Sequence, residues 1–258
     1  MDEPQPALLQ VSQVRKTFAG VVAVDDVSID VPAGALVGVL GPNGAGKSTL
    51  FHLIAGHLRP DRGQVCFNGR QIAAMRSHQR AALGIGLVFQ TPRLFAGMTV
   101  LENVLSGQFL HGSCGMAASG LRLPRHRRHE QEVAAGARSR IRQLGLGGLE
   151  DSEVSGLPFG LQRRVAVAQA LGVGTRLLLL DEPAAGLTGD ERRELRDIIA
   201  RLRDAGTSVL LIEHDVRFVS GIADSLVVLE RGAVLAAGAV DAVLSDPAVI
   251  LAYSGVSA

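Results

Sequence analysis

An α/β fold, with a mainly parallel sheet built around a phosphate-binding loop, is what this sequence predicts, and three observations carry the prediction. The stretch Gly41-Pro42-Asn43-Gly44-Ala45-Gly46-Lys47-Ser48-Thr49 fits the pattern G-x-x-x-x-G-K-S/T. It is preceded by the apolar, strand-length run Ala35–Leu40 and followed by Leu50, Leu53, Ile54 and Leu58 at helical spacing. Three further apolar runs of strand length, Ile85–Phe89, Leu177–Leu180 and Ser208–Ile212, each end on polar or charged residues.

A glycine-rich turn between a strand and a helix suits a phosphate group. Without a Cβ in the way, successive backbone N–H groups can point at phosphate oxygens, and the positive end of the helix dipole adds to the attraction. Lys47 would neutralise the β- and γ-phosphates and the Ser48 hydroxyl would sit on Mg²⁺, so the stretch predicts a nucleoside triphosphate site.

Composition narrows the class. At 258 residues the chain has room for a large α/β core. Apolar content is 47%, yet no run approaches the roughly 18–20 residues of a membrane helix. The acidic, proline-rich start Met1–Pro6 does not fit a signal peptide. Cys66 and Cys114 are too few for a disulfide framework or a metal cluster, which predicts reduced thiols in the cytosol. A net charge of +1 and 3% aromatics argue against a nucleic-acid partner.

Along the chain, alternating residues from Val11 to Val31, broken at Phe18-Ala19-Gly20, predict strands joined by a tight turn. Phe18 is either a core phenylalanine or a platform for a base. Arg59–Gly63 predicts a turn, Gln64–Asn68 a strand, and Asn68-Gly69 a hairpin. Gln90 follows a predicted strand, where it is either a loop residue or a ligand contact at the sheet's carboxyl edge. Gly107–Gly120 is rich in Gly, Ser and Ala and reads as a flexible connection. The basic run Arg122–His129 after it is a solvated helix start or a contact for an acidic partner or lipid headgroups.

Leu157-Pro158-Phe159-Gly160-Leu161-Gln162 leads into a helix with Val165, Ala168 and Leu171 on one face, and places Pro and Gly at a possible anion-facing helix start. Asp181-Glu182 closes an apolar strand. One carboxylate there can support Mg²⁺ while its neighbour orients or deprotonates an attacking water. Thr188 and Glu191 form a capping box for a helix whose Leu195, Ile198, Ile199 and Leu202 face the core, and which ends at Ala205-Gly206. His214 stands at another strand end, as a structural histidine or a γ-phosphate contact.

Taken in order, Phe18, Gly41–Thr49, Gln90, Leu157–Gln162, Asp181-Glu182 and His214 resemble the ATP-binding subunit of an ABC transporter over nearly the whole chain. Within that superfamily, Phe89–Phe95 with Met98–Val100, Pro158–Gly160 with Gln162–Arg164, Glu182–Leu187, Leu211–Asp215 and the ending Asp246–Tyr253 are similar to the branched-chain amino acid uptake group. The resemblance implies a P-loop NTPase (RecA-like) core over about 1–92 and 164–258. It adds an N-terminal antiparallel β portion and a helical subdomain over about 93–163.

It further implies that Phe18 stacks on adenine and that Gln90 senses Mg²⁺ and the membrane partner. Asp181 supports the metal, Glu182 polarises the attacking water and His214 contacts the γ-phosphate. Two ATP molecules are sandwiched between two such domains, each completed in trans by the other's Leu157–Gln162 segment. The implied partners are a second ABC ATPase subunit, membrane permease subunits and, indirectly, a solute-binding protein outside the membrane. The implied location is peripheral, on the cytoplasmic face of the inner or plasma membrane.

Departures exist. The superfamily's usual Leu-Ser-Gly-Gly-Gln has Pro158, Phe159 and Leu161 in place of Ser, Gly and Gln, and Pro158 has neither hydroxyl nor N–H to offer a phosphate. Substitution at that serine is familiar in the branched-chain group. Thr188 also stands where many relatives carry Asp. Other cargoes (urea or amides by uptake, lipid or lipopolysaccharide by export) use the same chemistry. A soluble, non-transport ABC ATPase would call for a second cassette or long coiled coils, which this sequence lacks.

Overall fold

The structure, a computed structural model, describes residues 7–108 and 124–254, with the backbone alone for 124–130 and 254. In chain order the strands are β1 (Ala7–Phe18), β2 (Val21–Pro32), β3 (Leu36–Leu40), β4 (Arg62–Phe67), β5 (Arg70–Gln71), β6 (Ile85–Val88), β7 (Leu177–Asp181), β8 (Ser208–Ile212), β9 (Ser225–Glu230) and β10 (Ala233–Ala239). The helices are α1 (Lys47–Ala55), α2 (Ser77–Ala81), α3 (Val100–Ser106), α4 (Pro124–Gln143), α5 (Phe159–Ala170), α6 (Gly189–Asp204), α7 (Val216–Ser220), α8 (Val240–Leu244) and α9 (Pro247–Ser254).

The strands form an antiparallel sheet of order β2-β1-β4-β5 and a second sheet of order β10-β9-β3-β8-β7-β6. In the second sheet β9, β3, β8, β7 and β6 run parallel, and only the edge strand β10 is antiparallel. Local chemistry sets the hairpins. Ala19 and Gly20 both have positive φ, as do Asn68 and Gly69, the conformation a two-residue turn between right-twisted strands requires.

The parallel strands are buried on both faces, as crossover helices and a second sheet demand. Their period of two divides the core. Val37, Val39, Leu177, Leu179, Leu210 and Ile212 pack with α1 and the antiparallel sheet. Leu36, Leu40, Leu178, Leu180, Val209 and Leu211 pack with α3 to α6 on the other side.

Two expectations are corrected in detail. Helix α1 stops at Ala55, so Leu58 lies beyond it; Gly56, at φ 81, turns the chain out of the helix. Helix α5 buries Gly160, Arg163 and the run Val165–Ala168, which is more than one face, because it is covered by neighbours on several sides. The capping box at Thr188 and Glu191 is formed, with Thr188 Oγ1 accepting from the Glu191 amide. Most of the connection expected over 107–120 and the first two residues of the basic run lie outside the described residues, and 124–129 form the start of α4. No helix among the described residues is long and apolar enough to cross a membrane.

Arg80 supplies a piece of architecture that the sequence did not advertise. Its side chain is almost fully buried and caps the carboxyl end of α1, donating from Nη1 to the Leu53 and Ile54 carbonyls at 2.7 Å each. Nε and Nη2 donate to Met75 and Ala73 oxygens at 3.1 Å each. Burial lowers its pKa to about 10, so it stays charged at neutral pH.

Candidate nucleotide site at the strand ends

Parallel order explains why distant motifs meet. The carboxyl ends of neighbouring strands open on one edge of the sheet, where α/β proteins place ligands. At that edge β3 delivers Gly41–Thr49, β8 delivers Glu213 and His214, β7 delivers Asp181 and Glu182, and β6 leads through Phe89 to Gln90. The ladder continues into the site through bonds from the Glu182 amide to the Ile212 carbonyl and from the Glu213 amide to the Val39 carbonyl.

A cleft of about 200 Å³ lies over the loop, lined by Ala23, Asn43 to Thr49 and Glu182. Lys47 is buried, and its Nζ donates to the Gly41 carbonyl at 2.7 Å and the Pro42 carbonyl at 3.0 Å. Gly41 and Gly46 have φ of 155 and 98, and a Cβ on either would come within 2.4 Å of a backbone oxygen. The loop therefore requires glycine at both places for close approach as well as for conformation. The Ser48 side chain is exposed in the cleft.

Charge in the site is unbalanced. Burial first, then the Glu182 and Glu213 carboxylates, push the Asp181 carboxyl up to about 6, and Lys47 and Arg163 offset only part of this. Burial lowers the Lys47 pKa, opposed by Glu182, Asp181 and Glu213. An excess of hard oxygen donors beside an exposed hydroxyl fits a magnesium ion, which is usually held by one or two protein groups together with substrate phosphates. Among the described residues no cluster of three or more His, Cys, Asp or Glu would hold a metal unaided.

Glu182 sits in the left-handed region at φ 43, a strained conformation of the kind that collects at reacting centres. Its Oε2 accepts from Gln90 Nε2 at 2.9 Å and lies 3.7 Å from His214 Nδ1. Three of the sequence-predicted residues thus meet at one carboxylate.

Phe18 and Leu157–Gln162 are placed differently. Phe18 ends β1 and is 42% exposed, with Lys16 Nζ 5.6 Å from its ring centroid. It is not a core residue, and it does not line the cleft, although β2 from the same hairpin brings Ala23 there. Pro158 caps the start of α5, Gln162 Nε2 donates to the Leu157 carbonyl at 2.9 Å, and the exposed Phe159 ring packs near Gly186. Gly160 is held so close to Glu191 that a Cβ would come within 2.3 Å of its Oε1.

Sequence reasoning missed Arg163 and Glu213, both fully buried behind these motifs. The signal for Arg163 was present, since it precedes the buried Ala166 and Val167 by three and four residues on one helix and so shares their face. Asn103 was missed as well. Buried on α3, it accepts from the Phe95 amide at 2.8 Å and donates to the carbonyls of Phe95 and Thr99, pinning the segment that follows Gln90.

Behind Gln90, the Phe89 ring stacks on His57 at 5.5 Å and carries the Arg93 guanidinium 4.3 Å from its centroid, while His57 meets His52 edge-on at 5.5 Å. Burial first lowers the pKa of both histidines; Arg93 adds to this for His52, and His52, Arg93 and Arg80 for His57. A histidine whose folded pKa is depressed contributes stability that is fully present above its unfolded value of about 6.5 and is lost as pH falls through the folded pKa. Denaturant titrations should therefore show stability declining below about pH 6.5, and less steeply in His57→Phe, which keeps the stack without the titrating group. Parallel pH profiles for parent and variant would refute the assignment to His57.

A strand, a glycine-rich loop with its lysine, and carboxylates at adjoining strand ends define a nucleoside-triphosphate-hydrolysing P-loop fold. The family model for ABC transporters matches residues 24–185, and the chain belongs to that family as an ABC ATPase. The chain is 37% identical over 249 residues to the high-affinity branched-chain amino acid transport ATP-binding protein LivG of Salmonella typhimurium, covering 96% of this chain and 98% of that protein. It is equally similar, with the same coverage, to the corresponding protein BraF of Pseudomonas aeruginosa. The lipopolysaccharide export system ATP-binding protein LptB of Acidithiobacillus ferridurans is also 37% identical, over 96% of this chain and 97% of that protein. Among solved structures, the ADP conformation of MJ1267, an ATP-binding cassette of an ABC transporter, superposes with a TM-score of 0.85 at 32% identity, covering 97% of this chain and 100% of that one.

Proposed function

We propose that this chain hydrolyses ATP at the Gly41–Thr49 cleft to drive uptake of branched-chain or related amino acids through separate membrane subunits. The observation that carries the chemistry is the meeting of Gln90, Glu182 and His214 at the cleft that holds Lys47. Full-length likeness to the LivG and BraF proteins supports the cargo class.

The residues divide the work by position. Phe18 offers an exposed ring on which adenine stacks, a contact worth roughly 1–3 kcal/mol. The amides of Gly41–Thr49 and the Lys47 ammonium take the phosphates. Ser48, Gln90 and Asp181 would hold Mg²⁺, which when bound neutralises phosphate charge and orients the γ-phosphate. Glu182 accepts a proton from water as the water oxygen bonds to the γ-phosphorus and the bond to the ADP oxygen breaks. Gln90 keeps the Glu182 carboxylate in place, and His214 reaches the γ-phosphate. Leu157, Pro158, Phe159, Gly160, Leu161 and Gln162 close the ATP site of a second ABC ATPase subunit, identical or related.

In this reading, residues 93–163 form a helical subdomain on a core of 1–92 and 164–258. The chain is peripheral on the cytoplasmic face of the membrane and engages permease subunits that receive cargo from a solute-binding protein. Lys47→Ala tests the site, because it removes a charge-assisted contact worth about 1.5–3 kcal/mol. ATP affinity should fall roughly 10- to 100-fold by equilibrium binding, and turnover with it. Unchanged binding and turnover would place the active site elsewhere.

A second reading, lipid or lipopolysaccharide export, rests on the 37% identity to LptB. Transport direction in vesicles containing the permease distinguishes the two.

A further inference from the structure

Arg163 and Glu213 are both fully buried, a costly state for ions unless their polar atoms are bonded. Arg163, on α5, donates from Nη1 to the Phe89 carbonyl at 2.8 Å and makes a longer contact of 3.5 Å from Nη2 to the Ala185 carbonyl. Glu213, at the end of β8, accepts from the Ala184 amide through Oε1 at 2.9 Å and from the His214 amide through Oε2 at 3.2 Å. The two side chains therefore hold neighbouring residues of the loop that follows Glu182. Each also holds the backbone beside one of Glu182's companions, Arg163 at the residue before Gln90 and Glu213 at His214.

Among the described residues no carboxylate comes within 4.0 Å of an Arg163 nitrogen, so the opposite charges lie near each other without a close ion pair. Burial depresses the guanidinium, and the Glu213 carboxylate, followed by Asp181, opposes that shift. Burial likewise pushes the Glu213 carboxyl up.

A purely space-filling role would be served as well or better by apolar side chains, since replacing a buried charge pair with packed hydrophobes is often neutral or stabilising. What apolar side chains cannot do is fix, by hydrogen bonds, four peptides in three separate segments. The loop itself is bent sharply, with Glu182 at φ 43, the Ala185 amide bonded to the Glu182 carbonyl, and Gly186 at φ 77. A small rotation of Ala184 or Ala185 would therefore swing the Glu182 carboxylate away from Gln90 and His214.

We propose that Arg163 and Glu213 form one positioning unit for ATP hydrolysis, setting Gln90, Glu182 and His214 in mutual register through the backbone of Ala184 and Ala185. The proposal rests on the reading of Glu182 as the base. Neither residue touches the reacting atoms. Coupling through one shared loop means that losing either partner loses the alignment, so the effects of the two substitutions should not add.

The test is a double-mutant cycle in the full chain with Arg163→Met, Glu213→Gln and the double variant, following kcat, KM for ATP, ATP affinity and amide hydrogen exchange. Each single substitution should lower kcat roughly 10- to 100-fold, the scale expected for misaligned reacting groups, with ATP affinity within about twofold of the parent. The double variant should lose no more than the worse single. Arg163→Met should also lower exchange protection at Ala184, which Arg163 does not bond, relative to Leu210 in the sheet core.

Additive losses, a parent-like kcat in the double variant, or unchanged relative protection at Ala184 would each overturn the proposal. If a single variant does not fold, the double variant decides alone, because it removes both buried charges together. A parent protein that hydrolyses no ATP would sink the reading of Glu182, while the exchange measurement at Ala184 would still decide on the unit itself.

Discussion

Replacing Glu182 by Gln lowers ATP hydrolysis by about 10²–10⁴-fold, the range a positioned base contributes, while ATP binding stays at the parent level. Gln has the same length and keeps one acceptor oxygen for the Gln90 amide, which now lies 2.9 Å from Glu182 Oε2. It cannot take a proton from water. The left-handed backbone at φ 43 is unchanged by the swap, so the strain that aims this side chain is common to both proteins. With chemistry slowed and binding intact, the ATP-bound state accumulates. Purified Glu182→Gln should then form an ATP-dependent dimer, with itself or with a second ATPase subunit, where the parent is mainly monomeric. Light scattering with and without ATP, run beside phosphate release, reads both effects. Near-normal hydrolysis would show that another group is the base. A dead enzyme that stays monomeric even with its partner would indicate that Pro158 and Phe159 leave the Leu157–Gln162 segment unable to hold the second face of ATP.

Arg80→Ala should destabilise the protein by about 3–5 kcal/mol, because each buried carbonyl left without a donor costs about 1–3 kcal/mol and the lost side chain leaves a void. The α1 carbonyls of Leu53 and Ile54 lose their donor at buried bonds, and those of Ala73 and Met75 lose theirs at part-buried ones. Lysine would not substitute, because a point-like ammonium cannot span four carbonyls as the planar guanidinium does. Gly56 leaves no slack, since a Cβ there would come within 2.7 Å of Arg80 Nε. For a chain of this size the loss corresponds to roughly 10 °C in melting temperature. Thermal unfolding of Arg80→Ala and Arg80→Lys measures it, and a shift under about 2 °C in both would mean that water takes over the cap.

How much of this was readable beforehand depends on the range over which each feature is determined. Gly41–Thr49, the Asn68-Gly69 turn and the Thr188–Glu191 cap are local, so the residue types state the geometry directly. The strand ends at Gln90, Glu182 and His214 were locatable from apolar runs, because a buried parallel strand must be apolar throughout. Their convergence was not contained in any window of the sequence; it follows from strand order. Arg80 and Glu213 look like surface residues by type, and only neighbours far along the chain make them interior, whereas Arg163 at least shares a helix face with Ala166 and Val167. The overlong α1 shows the opposite failure. Leu58 keeps the apolar period going, but Gly56 has already ended the helix.

Strand order also bears on synthesis. β3, which feeds the phosphate loop, pairs Leu36 with Val209 on one side and Val37 with Ser225 on the other. Both neighbours belong to the last quarter of the chain, so the growing polypeptide carries its most recognisable motif for most of its translation with no sheet to hold it. At about 5–20 residues per second, that interval is on the order of ten seconds or more. The antiparallel hairpin of β1 and β2 can pair early from adjacent residues, but the parallel ladder must wait. Nucleotide therefore finds the assembled strand-end site only after β8 and β9 have been made. Truncation before β8 leaves a nascent chain with the lysine and glycines of the loop but with neither sheet neighbour of β3.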